Sequence, residues 1–230
     1  MWFGAAEMKI ASPIILPPPV EVLGAFRPSI MYGAAATTAR ALCGLGFGVL
    51  IAYFIHFGCV ALRIEKGMDA QFAGARAVPV FAILPLFVIW FGFSETGRTL
   101  IVTLSSVAFF VAPLHEAHRR LSREWTLLRD QQEMSVLLFY SQIVVPGTLG
   151  SLLGALRVTF AVAFTISIAS EYIGAQVGIG RFLDSARVTF NVPAIYLAIL
   201  VASVIGVVLD KLITYIYDKT IHWAGKDGKA

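Results

Sequence analysis

Charged residues are scarce in this sequence. Asp, Glu, Lys and Arg make up 14% of the 230 residues, whereas soluble domains carry about 25%. Hydrophobic residues make up 58%, and the mean hydropathy is +0.79. This composition predicts an integral membrane protein. Hydrophobic runs of helical length, in place of alternating ten-residue strands, favour a helix bundle.

Several signatures of chemistry are also missing. The sequence contains no GxxxxGK[ST] motif, so this chain does not hold ATP in a P-loop of its own. It has no GxSxG motif, and no serine–histidine–acid set or paired carboxylates are placed for catalysis. We therefore expect a protein that is not an enzyme. The net charge of +4 lies mostly in loops and tail, which predicts no nucleic-acid partner.

Disulfide and metal signals are equally weak. Cys43 and Cys59 are the only cysteines; they fall in one predicted span and form no CxxC motif. His115 and His118 have a spacing that can share a metal, but no third ligand is visible. We expect no metal site, and we expect this pair to form a solvated cap at a helix end. His56 lies inside a span, where we expect it to face the bundle and to be hydrogen-bonded.

Five apolar segments predict membrane spans. The first contains the GxxxG pair Gly44 and Gly48, which favours close helix packing. The fourth contains a second GxxxG pair, Gly150 and Gly154. The predicted spans are residues 33–62, 77–93, 99–114, 148–169 and 192–216. The predicted fold is an all-α integral membrane protein, a bundle of about five transmembrane helices within residues 33–217.

The two ends of the chain differ from the spans. Residues 1–32 predict a segment at the outer membrane interface, extended by its prolines up to residue 19 and with a short helix over residues 20–26. No basic n-region and no continuous apolar run are present, so we expect no cleavable signal peptide. Residues 218–230 predict a basic tail.

Residues 115–146 form the only long polar interruption. Arginines alternate with acidic residues, and apolar residues recur with an imperfect helical period. Because a segment this charged cannot cross hydrocarbon, we predict one or two short helices on the membrane surface that contact a soluble partner. Pro146 is predicted to stop one helix before Gly147 opens the next.

The distribution of Lys and Arg predicts the orientation. If residues 115–146 face the cytoplasm, most loop and tail cations lie on that side, which places the N-terminus outside and the C-terminus inside. Residues 170–191 then lie outside, where their glycines predict a turn. They do not predict a phosphate-binding loop, because no lysine followed by Ser or Thr comes after them.

Several stretches, in their order and spacing, resemble one family. The stretches are residues 16–23 (LPPPVEVL), 83–86 (ILPL), 89–92 (IWFG), 144–146 (VVP), 154–157 (GALR), 170–175 (SEYIGA) and 178–180 (GIG). They are similar to the permease subunit of a type I ABC importer of the nitrate, sulfonate and taurine branch. The resemblance covers about residues 14–225 and implies a multi-pass protein of the bacterial inner membrane.

This resemblance implies the translocation subunit of an ATP-driven, binding-protein-dependent importer for a small solute, such as a sulfonate, taurine or nitrate. It implies an ATP-binding subunit that holds ATP and Mg²⁺, an extracytoplasmic substrate-binding protein, and a second permease copy or paralogue, all around a chain embedded in lipid. No cofactor is expected in this chain itself. Arg157 and Glu171, which flank the fourth span, are candidates to line the translocation path or, equally, to anchor the helix at the interface.

In the resembled family, the cytoplasmic loop carries coupling helices that dock on the ATP-binding subunit. Residues 115–146 are therefore the expected coupling loop. The expected docking residues are Trp125, Leu127, Leu128, Arg129, Asp130 and Glu133.

The loop also departs from the family pattern. The family signature is Glu-Ala-Ala, then a glycine, then a closing Leu-Pro. Here residues 127–129 read Leu-Leu-Arg, Glu133 takes the glycine position, and only Val145-Pro146 fits. We also expect the family's usual first membrane helix to be missing. These departures leave an alternative, a degenerate or truncated paralogue that acts as a non-transporting membrane scaffold. A secondary transporter fits less well, since the predicted spans lack acidic residues at mid-membrane.

Overall fold

The computed structural model describes residues 16–121, 125, 129 and 131–221, and all regular elements in that part are helical. A short 3₁₀ turn, Glu65–Gly67, separates the second and third helices. The helices are α1 (Pro19–Gly24), α2 (Pro28–Ala61), α3 (Asp69–Ala75), α4 (Val80–Phe91), α5 (Glu95–Arg119), α6 (Val136–Leu149), α7 (Leu153–Glu171), α8 (Ile179–Val188) and α9 (Val192–Thr220). The predicted extended segment up to residue 15 and the tail from residue 222 lie outside the described residues.

Four helices, α2, α5, α7 and α9, are long and apolar enough to cross a membrane. Helices α3 and α4 form a fifth span if they are taken together, with a bend of 75° between them. Pro79 lies at this bend, immediately before α4, where its missing N–H and fixed φ are tolerated at a helix start. The predicted all-α bundle of about five spans is confirmed.

The spans extend beyond their apolar centres. Helix α2 begins at Pro28, five residues before the predicted start at residue 33, and its 34 residues give a length of about 51 Å. The hydrocarbon core is about 30 Å thick, so both ends of α2 project from it. Helix α5 begins at Glu95 because the Ser94 hydroxyl accepts a hydrogen bond from the Gly97 amide at 3.1 Å.

The first GxxxG pair brings α2 against α5. A Cβ added at Gly44 would overlap the side chain of Val102, and one added at Gly48 would overlap the Cβ of Ser106. This confirms the predicted close packing. At the second pair, a Cβ added at Gly154 would meet nothing within 4 Å among the described residues.

Helix α6 passes through Pro146 without stopping. Its middle, Tyr140–Val144, is a π-helical segment, and Pro146 is the second residue of the α-helical turn that follows, Val145–Leu149. The prediction that Pro146 ends a helix is therefore wrong. A π-helical turn shifts the hydrogen-bond register, so the proline lies at a new helix start, where its missing N–H is tolerated.

The bundle has two ends that differ in content. We call the end that carries residues 120–135 the loop side; the C-termini of α2, α5 and α9 and the N-terminus of α7 lie there. The opposite side carries α1, α8 and the link between α4 and α5. Helices α2, α5 and α7 form the centre, and the short helix α1 confirms the one predicted over residues 20–26.

Candidate functional site

The loop side presents the described part of the expected docking residues. Trp125, Arg129 and Gln131 are helical, and the Trp125 side chain is 45% exposed. The Arg129 guanidinium lies 5.2 Å from the centre of the buried Phe139 ring, a cation–π contact that ties this helix to α6. Leu127, Leu128 and Asp130 lie outside the described residues. The docking role of the set stays a prediction.

The helix that contains Arg129 ends in a left-handed turn at Glu133. The φ angle of Glu133 is 49°, and the Met134 amide donates a hydrogen bond to the Arg129 carbonyl at 3.1 Å. This six-residue closure is a Schellman turn, in which the left-handed position is usually glycine. Glu133 occupies the position at which the resembled family has its glycine, so the backbone keeps the glycine conformation without the glycine.

A buried network of charges lies on the opposite side, around Glu171. The Glu171 carboxylate is fully buried at the end of α7 and is hydrogen-bonded to Arg40, to the Thr37 hydroxyl at 2.7 Å and to the Gly180 amide at 2.7 Å. These three donor atoms, together with its complete burial, keep the carboxylate away from water. Arg40 is itself only 6% exposed and lies on α2.

Arg40 also connects the network to α5. Its Nε and Nη2 atoms bind one carboxylate oxygen of Glu95, at 3.0 and 2.6 Å, and the other Glu95 oxygen accepts from Arg98 at 2.9 Å. Two arginines thus alternate with two glutamates, which leaves the network neutral. Because a buried unpaired charge is costly, this alternation allows Arg40 and Glu171 to lie inside the bundle.

The network also fixes α8. The Ile179 amide donates to the Thr37 hydroxyl at 3.0 Å, and a Cβ at Gly180 would overlap the Ile168 carbonyl oxygen. Gly178 has a φ of 147° and its α-carbon faces the Glu171 carboxylate. The turn predicted for residues 170–191 ends at Gly178, and the helix that follows it was not predicted.

Arg157 and Glu171, the two predicted path residues, are not brought together. Arg157 forms two parallel hydrogen bonds with Asp210, both 2.6 Å long, which link α7 to α9 on the loop side. The Arg157 side chain is 46% exposed, whereas Glu171 is fully enclosed on the opposite side. A role of either residue in the translocation path stays a prediction.

Three histidines meet on the loop side. His56 is fully buried and His115 is 3% exposed, and the His56 ring lies 4.9 Å from the His118 ring, centre to centre. The prediction that His115 and His118 form a solvated cap is wrong, because α2 and α3 cover them. The prediction that His56 faces the bundle and is hydrogen-bonded is confirmed. Within the described part of the chain, no group of three or more side chains is arranged to hold a metal ion.

His56 contacts Tyr140 of α6 as well as His118 of α5. Burial raises the pKa of the Tyr140 phenol above its usual range, so the hydroxyl keeps its proton. Helix α6 is shorter than the membrane spans and follows residues 120–135 in the chain. The histidine cluster thus connects both ends of the loop with α2.

Arg40, Glu95 and Tyr140 were not singled out from the sequence. Arg40 gives a signal in retrospect: it is a cation within an apolar helix, and such a residue needs a partner inside the bundle. Thr37 and Arg40 are three residues apart and so share one face of α2. The partner of Arg40 could not be identified from the neighbouring residues, because Glu171 is 131 residues away in the sequence.

Comparisons with known proteins define the class. Residues 44–222 match the family described as binding-protein-dependent transport system inner membrane component. The chain belongs to this family, and it is a membrane-spanning permease subunit of the ABC importer type.

Individual relatives agree with this assignment. The chain is 26% identical to a permease assigned to aliphatic sulfonates transport in Bacillus subtilis (strain 168), over 97% of this chain and 83% of that protein. It is also 26% identical to the taurine transport system permease protein of Escherichia coli (strain K12), over 98% of this chain and 86% of that protein. An inward-facing structure of the MetNI methionine ABC transporter has the same fold, with a TM-score of 0.67 and 14% identity over 86% of this chain and 97% of that chain.

Proposed function

We propose that this chain forms, with a second permease chain, the membrane pathway of an importer for small organic anions, with sulfonates and taurine as the favoured class. The observation that carries the substrate class is the similarity to two permeases named for aliphatic sulfonates and taurine, each over nearly the whole chain. Nitrate, expected from the resemblance, is kept as a competing substrate in the test.

The chain acts with separate partners in this proposal. An extracytoplasmic substrate-binding protein delivers the anion to the opposite side of the bundle, where the N-terminus lies outside the cell. An ATP-binding subunit docks on the loop side, in the cytoplasm, and supplies ATP, Mg²⁺ and the hydrolysis step. This chain contributes no catalytic group; it provides helices with two packings of similar free energy, between which the ATP-binding subunit drives a change.

The docking surface is the helix that ends at Glu133. It presents Trp125 outward, and the predicted contacts Leu127, Leu128, Arg129 and Asp130 belong to the same stretch. The contact between Arg129 and the Phe139 ring supports this role, because it lets a displacement of the docked helix pull on α6. A large exposed aromatic side chain is the residue type that interfaces favour.

A second function is favoured by one observation, the loss of the loop signature. A glutamate in the left-handed position of the Schellman turn costs about 1 kcal/mol relative to glycine, so the end of this helix is less stable than one with the family's glycine. A permease paralogue that serves as a scaffold without docking an ATP-binding subunit would tolerate this change.

Co-purification separates the two functions. The chain is co-expressed with each ATP-binding subunit encoded beside it, and the complex is isolated in detergent. The test variant is Leu128→Asp with Arg129→Glu. The control is Val188→Asp with Arg187→Glu, which makes the same two changes on the exposed face of α8, on the opposite side. The proposal expects a complex for the wild type and the control, and loss of the complex for the test variant.

The substrate is tested by uptake into proteoliposomes. The assembled complex is supplied with ATP and its binding protein, and uptake of taurine, an alkanesulfonate and nitrate is compared with that of methionine. Uptake of a sulfonate in preference to methionine supports the substrate class. A wild-type chain that binds no ATP-binding subunit overturns the importer function, and uptake of methionine alone overturns the substrate class.

A further inference from the structure

The chain of contacts His118–His56–Tyr140 joins three helices at the loop side. His118 is the penultimate residue of α5, which leads into residues 120–135, and Tyr140 is the fifth residue of α6, which follows them. His56 lies between them on α2 and is fully buried. Both ends of the coupling loop therefore contact the same imidazole ring, and a displacement of either end must move or break that contact.

The direction of the hydrogen bonds follows from the partners. The Tyr140 hydroxyl lies 3.0 Å from the Tyr53 carbonyl, which can only accept, so the hydroxyl donates there. The Tyr140 oxygen then accepts from His56 Nδ1 at 3.0 Å. His56 Nε2 is left as an acceptor and takes the Nδ1–H of His118 at 3.2 Å. With both rings neutral, this is the arrangement that makes all three contacts hydrogen bonds.

Charged and titratable groups surround the pair on every side. His115 packs edge-on against the His56 ring, and its own Nε2 contacts Asp69 of α3 at 3.1 Å. Arg119 binds the same Asp69 oxygen at 2.7 Å. Further groups that act on the pair or on Tyr140 are Tyr53, Cys59, Glu65 and Arg129. Asp69 is thus already paired with His115 and Arg119.

The contact between α5 and α2 depends on a neutral His56. A proton added to Nε2 of His118 leaves its Nδ1–H donor in place and keeps the contact. A proton added to His56 as well would give both facing nitrogens a hydrogen, and two N–H groups 3.2 Å apart repel each other. Because His56 is fully buried, a charge on it is costly, so the contact persists.

We propose that His118, His56 and Tyr140 are positioning residues that fix both ends of the coupling loop to α2, and that loss of either contact uncouples ATP hydrolysis from uptake. This inference rests on the proposed function, since it concerns the coupling of ATP hydrolysis to uptake. It assigns no contact with substrate or ATP to these residues.

The first experiment measures coupling as a function of pH. Proteoliposomes with the complete transporter are prepared so that the ATP-binding subunits face the bath, and uptake per ATP hydrolysed is measured between about pH 7.5 and pH 5.5, the range in which histidine titrates. The variants are His118→Ala, His118→Asn and Tyr140→Phe. Asparagine places an amide N–H near the position of Nδ1 but takes up no proton. The matched control is His115→Asn, three residues earlier on the same helix.

The expected results separate positioning from a merely structural role. For the wild type and the His115→Asn control, we expect uptake per ATP to stay nearly constant across this range, because the buried His56 stays neutral. His118→Ala and Tyr140→Phe should lower uptake per ATP several-fold at both ends of the range while the ATP-binding subunit remains bound. His118→Asn should recover most of the coupling lost in His118→Ala, because its amide N–H can replace the Nδ1–H donor. Normal coupling in His118→Ala, or no recovery in His118→Asn, overturns the inference.

A second measurement does not require transport. The chain alone is labelled with ¹⁵N-histidine and examined by NMR in detergent micelles, with each histidine assigned by substitution. We expect His56 to be the Nδ1–H tautomer near neutral pH, and Tyr140→Phe to change that tautomer. An Nε2–H tautomer for His56 in the wild type overturns the inference even if uptake is never observed. An absence of uptake together with the expected tautomer contradicts the proposed function and leaves the geometry of the chain standing.

Discussion

The amide of Met134 donates to the carbonyl of Arg129, and this bond closes the helix that contains Arg129 around a glutamate in the left-handed conformation. The backbone of the turn is therefore the one that glycine favours, although the residue is Glu133. A side chain in this conformation costs free energy because its Cβ crowds the following carbonyl oxygen.

Replacing Glu133 by glycine should strengthen docking. The strain of about 1 kcal/mol is removed, which corresponds to about a fivefold gain in affinity for the ATP-binding subunit if the turn must form on docking. The affinity is measured by titrating the purified subunit against the chain in nanodiscs. Glu133→Ala is the matched control, because it removes the same carboxylate and keeps the Cβ. An equal gain with alanine would show that charge, and not the turn, is responsible.

Breaking the buried pair should cost more than removing it. Glu171→Leu leaves the buried Arg40 paired only with the largely exposed Glu95 and should lower the free energy of unfolding by about 3–5 kcal/mol. Adding Arg40→Met should recover a large part of this loss, because the remaining partner, Glu95, has a side chain that is 64% exposed and reaches water. Thermal or denaturant unfolding in detergent gives the four corners of the double-mutant cycle. Additive effects of the two substitutions would contradict the pairing.

The two neighbouring glycines of α2 should respond differently to alanine. Gly48→Ala adds a methyl group against Ser106 and the Thr103 carbonyl, so it should separate α2 from α5 and destabilise the protein by about 1–3 kcal/mol. Gly46→Ala faces open space and should be neutral or slightly stabilising, since alanine is the better helix former. The difference between the two melting temperatures is the measurement. Equal effects would show that close packing at Gly48 does not matter.

Arg157 is predicted to act in transport more than in stability. Its pair with Asp210 lies at the surface of the bundle, where an ion pair contributes little to folding. We expect Arg157→Ala to lower anion uptake several-fold with an almost unchanged melting temperature and intact binding of the ATP-binding subunit. Arg187→Ala, which also removes an exposed arginine from its aspartate, is the control. Unchanged uptake in Arg157→Ala would remove this residue from the translocation path.

The spans could be predicted from the sequence because a membrane leaves the backbone few choices. An apolar segment of sufficient length must satisfy its own N–H and C=O groups, so it forms a helix. The close approach at Gly44 and Gly48 and the hydrogen-bonded His56 were accessible for the same reason, since both follow from residue type within one helix. Helix ends were less accessible, because caps such as Ser94 and projecting polar turns fall outside a hydropathy window.

The pairing of distant residues could not be predicted. Glu171 and Arg40 each appear as isolated charges, and only the packing of α7 against α2 makes them one neutral unit. His115 and His118 appear as a polar helix end, because the sequence does not reveal that α2 and α3 cover them. In α6, the π-helical segment places Pro146 at the start of the next α-helical turn. No sequence pattern marks the shift in hydrogen-bond register that allows this.

Helix α2 joins the two buried clusters of this protein. Arg40, in the network around Glu171, and His56, in the histidine chain, are 16 residues apart on one continuous helix, a separation of about 24 Å along its axis. Apart from Pro28 at its start, α2 contains no proline that would let it bend in between. It can therefore tilt as one rigid body. A tilt about its middle would displace Arg40, next to α8, and His56, next to the loop, in opposite directions. A movement at one face of the membrane would therefore be transmitted to the other face.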